Sequence, residues 1–270
     1  MFLLIVYFSQ FLLTLFAQTQ QDLKNADVFL NWLDQNQKFF STCKPKILGN
    51  EITLCDQTKI DKKELSDFLK KSSFDAILWL RNKNIKIDVL CDEDLKPESS
   101  LVSECKSTVS NKNFEKVTSL HGQYLPGENT VLIRNSASLG SLMHEYIHHL
   151  QYENKTPVFG KVYKKERTKI QKALIKIMDD QIEKVQKLEK KKNKKELKKE
   201  LRLFMSASEK MMKFSIWQDL IDEQNIFLLY LSFGKKIGLP EKDIEFAKIN
   251  MTKICDRLKK NSEINYSCPI

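Results

Sequence analysis

The sequence predicts an α+β fold in which a small mixed sheet with an edge hairpin packs on one helix and a mainly helical C-terminal part follows. Residues 85–90 alternate apolar and polar side chains at period two, and residues 123–134 hold two such runs joined at Pro126-Gly127-Glu128-Asn129. Beyond Ser138, apolar residues recur at spacings of three and four, the signature of helices that bury one face. With 270 residues, 41% hydrophobic, and only 7 Gly and 6 Pro, the chain is neither collagen-like nor of low complexity and has enough apolar material to close a core.

Taken in order, residues 2–17 are apolar except for Ser9, Gln10 and Thr14, and the chain turns polar at Gln18. That is the outline of a secretory signal peptide cleaved near Ala17, with an uncleaved anchor as the alternative. No other run approaches the roughly 20 apolar residues that span a bilayer, so no transmembrane segment is expected after cleavage. Residues 18–270 then read as one domain.

The cysteine pattern fits export to a secreted or periplasmic compartment. Cys43, Cys55, Cys91, Cys105, Cys255 and Cys268 fall into local pairs 12, 14 and 13 residues apart. Each pair closes a short loop at low entropic cost, so Cys43–Cys55, Cys91–Cys105 and Cys255–Cys268 are the expected bridges among the formal alternatives. Six free thiols would instead fit a reducing compartment. No CxxC appears, so a cysteine zinc ribbon has no support.

Residues 63–80 have helical character, and residues 85–90 and 123–134 supply the strands. A helix opens near Ser138, another covers residues 217–233 and stops at Gly234, and Pro240 opens a last one running to about residue 259. Between them lies a Lys-rich helical insertion, residues 161–212. Residues 161–202 hold 17 Lys and Arg against 7 Asp and Glu, so the net charge of +10 sits entirely in that segment. Its apolar residues run Ile170, Leu174, Met178, Ile182, Val185, Leu188, then Leu197, Leu201 and Phe204. The lysine run around Asn193 interrupts this stripe, which predicts a helical hairpin turning there; one continuous helix is the competing geometry. The insertion is a candidate for contact with anionic surfaces. Specific nucleic-acid recognition is not expected, because no aromatic residue is interleaved from Lys184 to Arg202 to stack on a base.

One constellation carries chemistry: His144-Glu145-Tyr146-Ile147-His148, an HExxH. Residues four apart on a helix stand one turn above each other, so both imidazoles reach a single cation. Glu145 is displaced by one residue, beside the cation instead of on it, where a carboxylate serves as general base. Chance yields the pattern in roughly 0.8% of chains with this many histidines and acids. Leu139, Leu142, Met143, Tyr146, Ile147 and Leu150 form the apolar stripe of the same helix.

This segment resembles the active-site helix of the zincin metallopeptidases, and the hairpin before it resembles the edge strand that those enzymes place against substrate. The metzincin form requires Gly at 151 and His at 154, where this chain has Gln151 and Asn154, and no histidine follows His149. The third ligand is therefore expected to be a carboxylate, as in gluzincins. Glu223-Gln224-Asn225-Ile226-Phe227 is similar to the glutamate helix of compact gluzincins, with an aromatic four residues after the acid. Glu223 is the expected ligand, and Asp222 and Asp219 are the alternatives, Asp219 also as a hydrogen-bond partner of a ligand histidine. His121 is an alternative third ligand, a transition-state hydrogen-bond donor or a turn residue. The usual Asn before the glutamate is replaced by Asp222, and 75 residues separate His148 from Glu223, most of them in the insertion.

The resemblance implies a secreted zinc-dependent peptidase: Zn2+ held by His144, His148 and Glu223, Glu145 as general base and acid, and a peptide or protein as substrate. The rival is a catalytically inactive secreted binding protein of zincin-like body that works through its basic hairpin. Hydrolysis of a different carbonyl derivative is a further alternative.

Overall fold

A computed structural model describes residues 2–90, 105–106, 122–134, 137–160, 163–190 and 194–260, with backbone alone for residues 2–17, 105–106, 219 and 258. Helices α1 (Phe2–Gln35) and α2 (Gln37–Thr42) lead into strands β1 (Lys46–Leu48), β2 (Glu51–Thr53) and β3 (Lys59–Asp61). Then come α3 (Lys62–Phe68), α4 (Ser73–Asn82), β4 (Lys86–Leu90), β5 (Cys105–Lys106), β6 (Gly122–Leu125) and β7 (Thr130–Arg134). The rest is helical: α5 (Leu139–Glu153), α6 (Tyr163–Lys190), α7 (Lys194–Gln218), a π-helical turn (Asp219–Glu223), α8 (Gln224–Ile237) and α9 (Glu241–Lys259). The chain divides into two compact units, Met1–Thr42 with Gly160–Leu220, and Cys43–Phe159 with Ile221–Ile270.

The first unit is built from α1, α2, α6 and α7. Leu23, Ala26, Leu30 and Leu33 recur at three and four along α1 and are buried with Phe29. They meet Leu174 and Ile177 of α6 and Ala207, Phe214 and Trp217 of α7, all buried. The Phe29 ring stacks 5.8 Å from Tyr163 and 5.7 Å from Phe214, and Phe40 meets Trp217 edge-on at 5.9 Å. Each such side chain contributes about 1.5–3 kcal/mol relative to exposure, which is what holds two otherwise strongly charged helices in place. α6 and α7 pack side by side as a hairpin, and residues 191–193 between them lie outside the described residues.

The second unit holds both sheets. β1–β2–β3 is an antiparallel meander. The other sheet has order β5-β4-β7-β6, with β4 parallel to β5 and β7 and β6 antiparallel to β7. β4 and the β6–β7 hairpin follow the period-two reading. The alternation buries Ile87 and Val89 on β4 and Val131 and Ile133 on β7. α5 packs on β6 and β7, and through Tyr146 on Phe68 and Trp79.

Two expected boundaries differ. The helical stretch 63–80 is two helices, because Ser72 takes an extended conformation (φ −68°, ψ 160°) and its hydroxyl accepts from the Asp75 N–H, which starts α4 afresh. α8 does not stop at Gly234. It continues to Ile237 and ends on Gly238, whose φ of +89° is the left-handed cap that glycine adopts at little cost. Gly234 is instead a close-packing site, where a Cβ would stand 3.0 Å from Ile244 of α9.

Cys43 and Cys55 are disulfide-bonded. Cys255 is also in a disulfide, and the expected pairs Cys91–Cys105 and Cys255–Cys268 each involve side chains outside the described residues. Among the described residues, no helix is long and apolar enough to cross a membrane.

Candidate metal centre

α5 begins where Ser138, extended at φ −78° and ψ 164°, accepts a hydrogen bond from the Ser141 N–H. The Ser138 hydroxyl donates to Asp243 Oδ1 of α9 at 2.6 Å, and Tyr230 of α8 donates to the Gly140 carbonyl at 2.9 Å. Leu142, Met143, Tyr146 and Ile147 are buried, so the helix is fixed on one side and turns His144 and His148 toward α8.

Glu223 closes the π-helical turn ahead of α8. A π turn leaves the α-helical hydrogen-bond pattern. Here the Ile221 carbonyl accepts from the Asn225 side-chain amide at 2.5 Å, and Asn225 Oδ1 accepts from the Cys55 N–H at 3.3 Å. The disulfide-bonded segment thus braces the backbone that carries Glu223.

Three donor side chains converge. His144 Nε2 and His148 Nε2 are 3.0 Å apart, His144 Nε2 is 3.1 Å from Glu223 Oε2, and His148 Nε2 is 3.1 Å from Glu223 Oε1. Among the described residues this is the group of His, Cys, Asp and Glu side chains that could hold a metal ion. Ligands about 2.0–2.1 Å from a tetrahedral ion stand about 3.3 Å apart, so the spacing and the N, N, O donor set fit zinc.

The histidine tautomer fits as well. His148 Nδ1 lies 3.0 Å from Gln151 Oε1, an acceptor, which places the ring proton on Nδ1 and frees the Nε2 lone pair. Gln151 is completely buried, and its Nε2 has no hydrogen-bond partner. Phe227 flanks the other ring, its centroid 5.2 Å from that of His144.

Burial penalises the Glu223 charge, but the neighbouring His148 and His144 more than offset it, holding the carboxyl well below its usual range. Glu145 behaves oppositely. It is 6% exposed, and burial, opposed by His144 and reinforced by the Glu223 charge, pushes its carboxyl up to about 7. The Tyr124 backbone N–H on β6 bonds to this carboxylate, and Gly122 faces it closely enough that a Cβ there would lie 3.0 Å from Glu145 Cγ. Glu145 is therefore seated against the outer strand of the sheet, next to the three donors and outside their set.

Of the alternative ligands, Asp222 is buried but lies outside the cluster, the Asp219 side chain lies outside the described residues, and so does His121. Tyr124 donates its hydroxyl proton to Asn129 Oδ1 at 3.0 Å, with His149 Nδ1 3.1 Å away. Gln151 and Gly122 escaped the sequence reading. Gln151 was detectable as the residue three after His148 on a helix, where side chains meet; Gly122 had no signal short of the sheet register.

Comparison of the chain with protein-family models, with curated proteins and with solved structures gives no match.

Proposed function

We propose that this protein is a secreted zinc-dependent peptidase in which His144, His148 and Glu223 hold the metal and Glu145 is the general base and acid. The observation that carries this reading is the meeting of three donor side chains: two imidazoles of an HExxH helix, 3.0 Å apart, each 3.1 Å from a carboxylate oxygen of Glu223, 75 residues downstream. A zinc ion bound there supplies Lewis acidity, polarising a carbonyl and lowering the pKa of a water toward neutrality. Glu145 takes the proton of the attacking water and delivers it to the departing amine, so one carboxylate serves both half-reactions. Its burial keeps bulk water from competing for that proton, and the Tyr124 N–H orients it. β6 pairs only with β7 among the described residues, so its other edge offers backbone groups to an extended peptide.

Export is supported by the apolar run of residues 2–17 and by the Cys43–Cys55 disulfide, which suits an oxidising compartment. Among the described side chains of α1 the first buried one is Leu23, six residues beyond Ala17.

The test is incubation of the purified chain with a peptide library, read by mass spectrometry beside Glu145→Gln, His148→Ala and a chelated sample. The parent is expected to cleave and to bind one zinc. Glu145→Gln keeps the zinc and loses about 10²–10⁴ in turnover, and His148→Ala loses both. Zinc without cleavage would favour the binding-protein reading, and undiminished cleavage by Glu145→Gln would remove that residue from its role.

A further inference from the structure

We infer that α7 carries a docking surface for anionic lipid membranes, formed by Leu201, Met205 and Met212 beside Lys194, Lys198 and Arg202. α7 is apolar on two opposite sides. Ala207, Phe214 and Trp217 are buried in the first unit, about half a turn around the helix from the row Leu201, Met205 and Met212. That outer row is 39%, 67% and 61% exposed, and no packing within the unit accounts for it. Spacings of four and seven put its members on one line along the axis.

Lys194, Lys198 and Arg202 stand one turn above each other on the same solvent side, all exposed, and none has an acidic partner among the described residues. The lysines that are paired lie elsewhere: Lys187 on Glu183, Lys184 on Glu200 and Lys210 on Asp27. Three exposed, unpaired cations of α7 therefore stand beside the apolar row.

A polyanion such as a sulfated polysaccharide or a nucleic acid would engage the cations alone and leave two methionines and a leucine in water. The boundary between lipid headgroups and acyl chains accepts both at once, phosphates on the ammonium and guanidinium groups and methylene groups on the apolar row. Lysine and arginine stems reach past an apolar row to the phosphates without desolvating their charges. An anionic bilayer is therefore the occupant that uses every member of the surface.

The experiment is flotation of the full chain with vesicles of phosphatidylcholine alone or mixed with phosphatidylglycerol, in parallel with retention on a heparin column. Neutral vesicles measure whatever the apolar residues 2–17 contribute, and the gain on anionic vesicles reports α7. Binding is expected to rise at least about tenfold with the anionic lipid and to fall with added salt. The triple substitution K194E/K198E/R202E returns binding to the neutral-vesicle level. L201Q/M205Q/M212Q, which keeps every charge, lowers vesicle binding about tenfold and leaves heparin retention unchanged. All six side chains are exposed, and an unaltered circular dichroism spectrum checks the fold of each variant. Equal anionic-vesicle binding by parent and L201Q/M205Q/M212Q, or heparin retention without any anionic-lipid gain, overturns the proposal in favour of a plain polyanion site.

Discussion

His148 Nδ1 lies 3.0 Å from Oε1 of Gln151, three residues further along the same helix. An amide oxygen only accepts, so the ring donates, and a neutral imidazole that donates from Nδ1 has its lone pair on Nε2. Gln151→Ala is expected to lower zinc affinity about 10–100-fold, measured by competition with a chromophoric chelator, while Gln151→Glu, which keeps an acceptor, preserves it. Equal affinity for the alanine variant would mean that the tautomer is set by something other than this bond.

Gly122 is the place where the sheet makes room for Glu145. A Cβ there would stand 2.6 Å from Ile133 Cδ1 and 3.0 Å from Glu145 Cγ, so one or both side chains must shift. Gly122→Ala is expected to retain stoichiometric zinc, cut kcat/KM by about tenfold or more, and cost about 1–3 kcal/mol of stability. Metal analysis, peptide cleavage and thermal unfolding on the same preparation separate these effects. Parental turnover in this variant would show that the acid does not depend on its seat against β6.

Glu223 and Asp222 are neighbours, yet only the first meets the imidazoles, and Asp222 is 2% exposed within the second unit. A zinc concentration a hundredfold above Kd stabilises the folded chain by about 2.7 kcal/mol, which appears as a rise in Tm. Glu223→Ala should abolish that rise. Asp222→Asn should keep the rise while lowering the starting Tm, because it alters a buried polar group. The reverse pattern would make Asp222 the ligand.

The parts of this structure that were legible in the sequence are those with a strong period. Ile87, Val89, Val131 and Ile133 alternate, and Leu142, Met143, Tyr146 and Ile147 hold one helix face, so the strands and α5 could be read directly. The two histidines came with the helix period itself, whereas the choice among Asp219, Asp222 and Glu223 depends on a π turn that no residue pattern announces. β1, β2 and β3 are three residues each, too short to show alternation. The partner of the basic hairpin was hidden for a different reason. The signal-like residues 2–17 open α1 itself, and the stripe from Leu23 to Leu33 that follows them becomes distinct only once its burial against α6 and α7 is known. Gly234 and Gly238 are four residues apart; the second ends α8 in a left-handed cap, while the first serves the close approach of Ile244, a tertiary contact that the sequence does not announce.

The two imidazoles and the carboxylate stand on backbone of unequal firmness. His144 and His148 ride on a helix whose other side is locked into the core, so amide hydrogens along α5 should exchange only when the second unit comes apart. Glu223 sits on the π turn, its side chain 26% exposed and its backbone braced through Asn225 to Cys55. Local breathing of the cluster is therefore one-sided. For an ion bound at the proposed site, exchange with solvent is therefore expected from the carboxylate flank, and loosening the Cys43–Cys55 segment's hold on Asn225 is expected to speed it.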